Sequence, residues 1–104
     1  MSVLLEFSIF PTDRGESVGE YVSGVIAMIR DSGFDYQLTP MATIVEAERL
    51  DELLVLVQRA YELLDAAGCN RVYAAMKLDI RKGRSGRLKG KLDSVRGRIG
   101  EVAT

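Results

Sequence analysis

The sequence predicts an α+β domain: a βαββαβ sandwich with one further helix at its C-terminal end. Three observations predict it. Stretches beginning at Val3, Tyr36 and Val72 alternate in character with a period of two, the repeat of a strand that presents two different faces. Two stretches, Val18–Ile29 and Asp51–Leu64, instead place apolar residues at helical spacing. Beyond Arg81 the chain turns basic, and a short helix is expected from about Arg87 to Ile99.

The first strand puts Val3, Leu5, Phe7 and Ile9 on one face, with Leu4, Glu6, Ser8 and Phe10 opposite. Ser17 followed by Glu20 reads as a capping box opening the first helix, whose apolar row is Val18, Val22, Val25, Ile26 and Ile29 and whose stop is Gly33. Tyr36–Glu48 then reads as two short strands joined at Thr39-Pro40, because proline holds the preceding residue extended. In the second of them Thr43, Val45 and Ala47 face one layer while Ile44, Glu46 and Glu48 face the other.

The second helix begins near Asp51, presents Leu53, Leu54, Val57, Ala60, Tyr61 and Leu64, and ends at Gly68. In the last strand Val72, Ala74, Met76, Leu78 and Ile80 form an apolar row. Tyr73, Ala75, Lys77, Asp79 and Arg81 form the other. This order is that of the split βαβ, ferredoxin-like arrangement. Right-handed crossovers put both helices on one face, so the opposite face, with Leu4, Phe10, Ile44 and Tyr73, is expected to be bare. Burying apolar surface is worth ~25 cal/mol per Å², which favours packing that face on a second sheet.

A chain of 104 residues is expected to be a single domain, residues 1–104, with 81–104 as a basic extension. The lone cysteine, Cys69, can form no internal disulfide, which points to a reducing cytoplasmic setting. No apolar run approaches the roughly 20 residues of a membrane helix, and no secretory leader is visible, so no membrane partner is expected. Residues 81–100 hold Arg81, Lys82, Arg84, Arg87, Lys89, Lys91, Arg96 and Arg98 against one acid, Asp93. No aromatic residue is interleaved among them, as nucleic-acid binding would favour, so they are read as a solvated or subunit-bridging helix docking on the acidic body. Gly86 and Gly90 are one residue too close for a phosphate-binding GxxxxGK[ST] loop, and Leu92 stands where its hydroxyl belongs.

Catalysis finds little support. The chain has no histidine, and hence no Ser-His or Cys-His arrangement. Cys69 has no evident activating base, and a Glu6–Glu46 pair reads better as structural or cation-binding than as an acid–base couple.

With these motifs in hand, the chain resembles the small thiamine-binding-protein family over roughly Val3 to Gly100. The resemblance rests on the strand ending at Pro11, the run Tyr36-Gln37-Leu38-Thr39-Pro40-Met41, and the strand Thr43 to Glu46. It also rests on Gly68, with Arg71-Val72 leading into Lys77-Leu78-Asp79-Ile80-Arg81. Ala42 and Ala47 stand where the family pattern expects glycine, and a methyl there narrows a ligand site or shifts the strand. The resemblance implies a non-enzymatic homo-oligomer, dimer or tetramer built from sheet-packed dimers. It implies no cofactor, but a thiamine-like small-molecule ligand on or beside the sheet face.

Thiamine combines a cationic ring, an aminopyrimidine and a hydroxyethyl arm, so its site needs an acid, hydroxyls and an apolar or aromatic wall. Glu46 is the candidate acid, with a salt bridge to Lys77 or to an arginine of another subunit as its structural alternative. Ser8, Thr39 and Thr43 are the candidate hydroxyls; Phe10, Tyr36 and Leu38 are the candidate wall. Thr43 and Glu46 lie on opposite faces of their strand, so they can share a ligand only at a strand end or through a neighbouring subunit. Two further readings stay open: a structural or regulatory interaction module whose sheet face serves only assembly, and an enzyme of small-molecule metabolism.

Overall fold

The computed structural model describes residues 1–104. It contains β1 (Ser2–Pro11), α1 (Gly19–Asp31), β2 (Asp35–Leu38), β3 (Thr43–Ala47), α2 (Leu50–Ala66), β4 (Val72–Arg81) and α3 (Arg87–Ile99). The strands form one antiparallel sheet in the order β2-β3-β1-β4. The alternation expected of β1 is realised: Val3, Leu5, Phe7 and Ile9 are buried beneath the helices. Their neighbours Val45 and Ala47 on β3, with Val25 and Ile29 of α1, Leu53, Leu56, Ala60 and Leu64 of α2, and Cys69 just beyond it, complete the core.

Both main helices end as their sequences dictate. Gly33 and Gly68 follow the helical residues with φ of +87° and +82°, the left-handed turn that an L side chain adopts only at a cost. The start of α1 differs from expectation. Val18 is its N-cap and no side chain caps it, so the Ser17–Glu20 box does not form.

The apolar row of β4 is also less buried than expected. Val3↔Ile80, Leu5↔Leu78 and Phe7↔Met76 pair across the strands, which puts the row on the helix-covered side. Yet Met76, Leu78 and Ile80 remain 40%, 40% and 47% exposed, because β4 is the edge strand and α2 lies mainly over its inner neighbours.

The other sheet face is not bare. α3 packs against it with Leu88, Leu92 and Val95, which recur at i, i+4 and i+7 and are each half-buried. Arg87 at its start donates to the carbonyls of Ser2 (2.9 Å) and Asp79 (2.6 Å) and pairs with the Asp79 carboxylate at 2.8 Å. The basic segment thus folds back onto the sheet. Leu4, Phe10 and Ile44 are half-buried on this face, and Phe10 meets Tyr73 with ring centroids 5.7 Å apart. No helix is long and apolar enough to cross a membrane.

Candidate ligand-binding site

A mismatch in strand length builds the site. β1 is ten residues long and β3 five, and their pairing stops at Phe7↔Thr43. From Ser8 to Phe10, β1 keeps β4 on one side and has no strand on the other. The chain from Leu38 to Ala42 curls away from this free edge, while α1 crosses above it. The result is a cleft of about 390 Å³ bounded by β1, α1 and the β2–β3 turn, with eleven of its fifteen lining residues hydrophobic. Its size falls within the usual range for small-molecule sites.

Thr39 sets the shape of the turn. Its hydroxyl donates to the Ala42 carbonyl at 2.7 Å and accepts the N–H groups of Met41 (3.3 Å) and Ala42 (3.1 Å). Its own N–H donates to the same carbonyl at 2.9 Å. Pro40 has a fixed φ suited to such a corner. The bend carries Met41 outward, 87% exposed at the lip of the cleft.

Five of the residues expected to bind a ligand line this cleft: Ser8, Phe10, Leu38, Thr39 and Thr43. Thr43 is buried at its floor and Ser8 is half-buried at its edge. The far wall is the apolar stripe of α1, chiefly Val18, Val22 and Ile26. Helical periodicity had marked those residues as core, and only the early end of β3 leaves them facing an opening.

Tyr36 and Glu46 lie elsewhere. Tyr36 stands on β2 directly opposite Val45, so its side chain lies on the helix-covered face, outside the lining of the cleft. Glu46 is 8% exposed on the opposite sheet face, opposite Leu4. Its carboxylate accepts the Ser2 hydroxyl at 2.5 Å and the N–H groups of Arg87 and Leu88 at 2.9 and 3.0 Å. Burial pushes this carboxyl up, but the bonds from Ser2, Leu88 and Arg87 outweigh it and hold the group below its ordinary value. Glu46 therefore caps a helix, and the shared Thr43–Glu46 site does not form within the chain. The Lys77 pairing considered for Glu46 goes instead to Glu6, at 3.8 Å.

That Glu6–Lys77 pair flanks a second hollow of about 290 Å³ on the same sheet face as Ser8. Ser8, Thr39, Met41 and Ala42 border both hollows, so a charged rim adjoins the apolar cleft. Ala42 thus lies at the rim, whereas Ala47 is packed in the core. The whole arrangement offers an apolar slot, two hydroxyls, an unpaired strand edge and one carboxylate at its mouth. It suits a small, flat molecule with polar ring substituents. No cluster of three or more Cys, Asp or Glu side chains is placed to hold a metal ion.

The same architecture recurs in solved structures. A hypothetical protein from Methanocaldococcus jannaschii superposes with a TM-score of 0.77 at 29% identity, over 90% of this chain and 95% of that one. A domain of unknown function from Bacillus cereus gives 0.79 at 28%, over 99% and 95%. Among curated relatives, a UPF0045 protein of Mycobacterium bovis is 45% identical over 83 residues, 80% of each chain. Another from Methanothermobacter thermautotrophicus is 32% identical over 98 residues, 93% of this chain and 99% of its own. The family model described as thiamine-binding protein matches residues 5–96, and the chain belongs to that family.

Proposed function

We propose that this protein binds thiamine or a related small heteroaromatic metabolite without transforming it, and serves its salvage, buffering or delivery in the cytoplasm. It does so as one domain, residues 1–104, of ferredoxin-like βαββαβ topology with α3 appended, in a dimer or tetramer. The observation that carries the reading is the cleft opened where β1 outruns β3, lined by Ser8, Phe10, Leu38, Thr39 and Thr43. An aromatic ring enters between α1 and the turn. Its heteroatoms meet the Thr43 hydroxyl and the free edge of β1, and a cationic ring lies toward Ser8 and Glu6 at the rim. Membership of a family described as thiamine-binding supports the ligand class.

The test is thermal unfolding across thiamine, its phosphates and its pyrimidine precursor, because a ligand of the native state raises stability by mass action. A saturable shift with one of these, lost in Val22→Trp, supports the cleft. No shift with any at millimolar concentration moves the reading to an interaction module.

A further inference from the structure

The residues from Thr12 to Val18 join β1 to α1 without belonging to either. This strap is nevertheless tied to the turn between α2 and β4. The Thr12 N–H donates to the Arg71 carbonyl at 2.9 Å, one pair beyond the end of the β1–β4 ladder. The Asp13 carboxylate accepts the Asn70 N–H at 2.8 Å. The Arg14 guanidinium donates to the Gly68 carbonyl and also reaches the buried Cys69 side chain. It stands 3.9 Å from the Asp13 carboxylate, and the two side chains are only 33% and 27% exposed, low for charged groups on a surface connection.

These ties hold the start of α1. The guanidinium lies over the Tyr21 ring, 6.0 Å from its centroid, at the reach of a cation–π contact. Tyr21 packs on the core, and its neighbours Val18, Val22 and Val25 on the helix surface all line the cleft. α1 has no capping side chain at this end, and Gly19 and Gly24 lie in its first half, where glycine is a poor helix former. The part of α1 that walls the cleft is therefore the part with least support of its own.

We propose that Asp13 and Arg14 are positioning residues for the cleft. Bound to the α2–β4 turn, they fix where α1 begins, and so the width between Val18 and Val22 on one side and the Thr39–Ala42 turn on the other. Neither side chain lines the cleft. They act through the Tyr21 ring and the helix that carries it, and their effect on a ligand rests on the cleft being its site. Linkage then makes the effect reciprocal: a ligand that needs α1 in place opposes release of the strap, and a released strap weakens the ligand. Cys69, the single cysteine, 6% exposed and against Arg14, reports that release.

Arg14→Ala, Asp13→Ala and Asp13→Asn test the proposal. Arg30→Ala is the control, removing an arginine paired with Asp31 at the other end of the same helix. Without ligand, Arg14→Ala speeds hydrogen exchange at Val22 to Val25 and leaves β1 unchanged. It also hastens reaction of Cys69 with an aromatic disulfide at urea concentrations too low for global unfolding. With thiamine, titration calorimetry gives an affinity about 2- to 30-fold weaker in Arg14→Ala and Asp13→Ala, while their urea midpoints stay with that of Arg30→Ala. Asp13→Asn keeps an acceptor for the Asn70 N–H and matches wild type. Saturating thiamine slows the Cys69 reaction of wild type and slows it less in Arg14→Ala. Unchanged exchange and Cys69 reactivity in Arg14→Ala overturn the proposal, as does full thiamine affinity in that variant or a loss matched by Arg30→Ala. Failure of wild type to bind thiamine, its phosphates or its pyrimidine precursor overturns the reading of the cleft instead, and the ligand-free rates still decide whether the strap holds α1.

Discussion

The carboxylate of Glu46 accepts the backbone N–H of Leu88 at 3.0 Å, so a β3 side chain caps a helix 42 residues further along the chain. The helix has no local cap, since its N-cap position is Gly86 in a left-handed conformation. A carboxylate at a helix N-terminus satisfies donors that the helix cannot and complements its dipole. Glu46→Gln removes the charge and turns an amide toward those donors. The expected loss is about 0.5–2 kcal/mol, the range measured for helix caps, confined to α3. Hydrogen exchange checks it: amides of α3 lose protection while those of β1 keep theirs.

The same residue sets a pH dependence. Its folded pKa lies below the ordinary glutamate value of about 4.3, so the unfolded chain takes up the proton first as pH falls. The stability that Glu46 contributes is thus fully present above that ordinary value and is lost as pH falls through the lower, folded one. Side-chain hydrogen bonds from Arg30 and Arg49 also lower Asp31 and Asp51. Those exposed pairs persist in Glu46→Gln. The difference between wild type and variant in urea melts is therefore constant from pH 7 to about 5 and shrinks below it.

Thr39→Val keeps the shape of the turn residue and removes the hydroxyl that bonds Met41 and Ala42. The turn loosens at a cost of about 1 kcal/mol. If the cleft takes thiamine, the variant's affinity falls by more than its stability suggests, as titration calorimetry would show, because the wall from Leu38 to Ala42 is no longer held.

Two glycines separate conformational need from habit. Gly24 lies within α1 with open space where a Cβ would stand, so Gly24→Ala is expected to stabilise by roughly 0.5–1 kcal/mol. Gly68 has φ +82° and a Cβ there would meet the Arg14 guanidinium at 3.1 Å. Gly68→Ala destabilises by about 1 kcal/mol, most of it backbone strain. Paired denaturant melts of the two variants give shifts of opposite sign.

Much of the fold was legible because its determinants are local. The alternation of Val3, Leu5, Phe7 and Ile9, the helical row of α1, and the stops at Gly33 and Gly68 all act within a few residues; the row of α2 holds for Leu53, Ala60 and Leu64, but Leu54 and Tyr61 are exposed and Leu56 is buried in their place. The bounds of α3 were legible for the same reason. Its docking place was not, since it depends on Glu46, Ser2 and Asp79 meeting Arg87 across the fold. The exposure of Met76, Leu78 and Ile80 also escaped notice, because periodicity reports which way a side chain points and not how far the helix above it reaches. Five of seven expected ligand residues lie together in the cleft because they flank one turn and one strand end. Glu46 was assigned by residue type, and only the register shows that its face carries the helix instead.

The cleft owes its existence to β1 continuing for four residues after β3 has ended, from Ser8 to Pro11, and not to any single side chain. Its volume is thus inherited from the hydrogen-bonding pattern of the sheet, whereas its lining is contributed by residues such as Val18, Val22 and Met41 that carry little of the core. Substitutions at those positions can recast what the cleft accepts without disturbing how the protein folds. A scaffold of this kind separates the architecture of the sheet from the chemistry of the cleft.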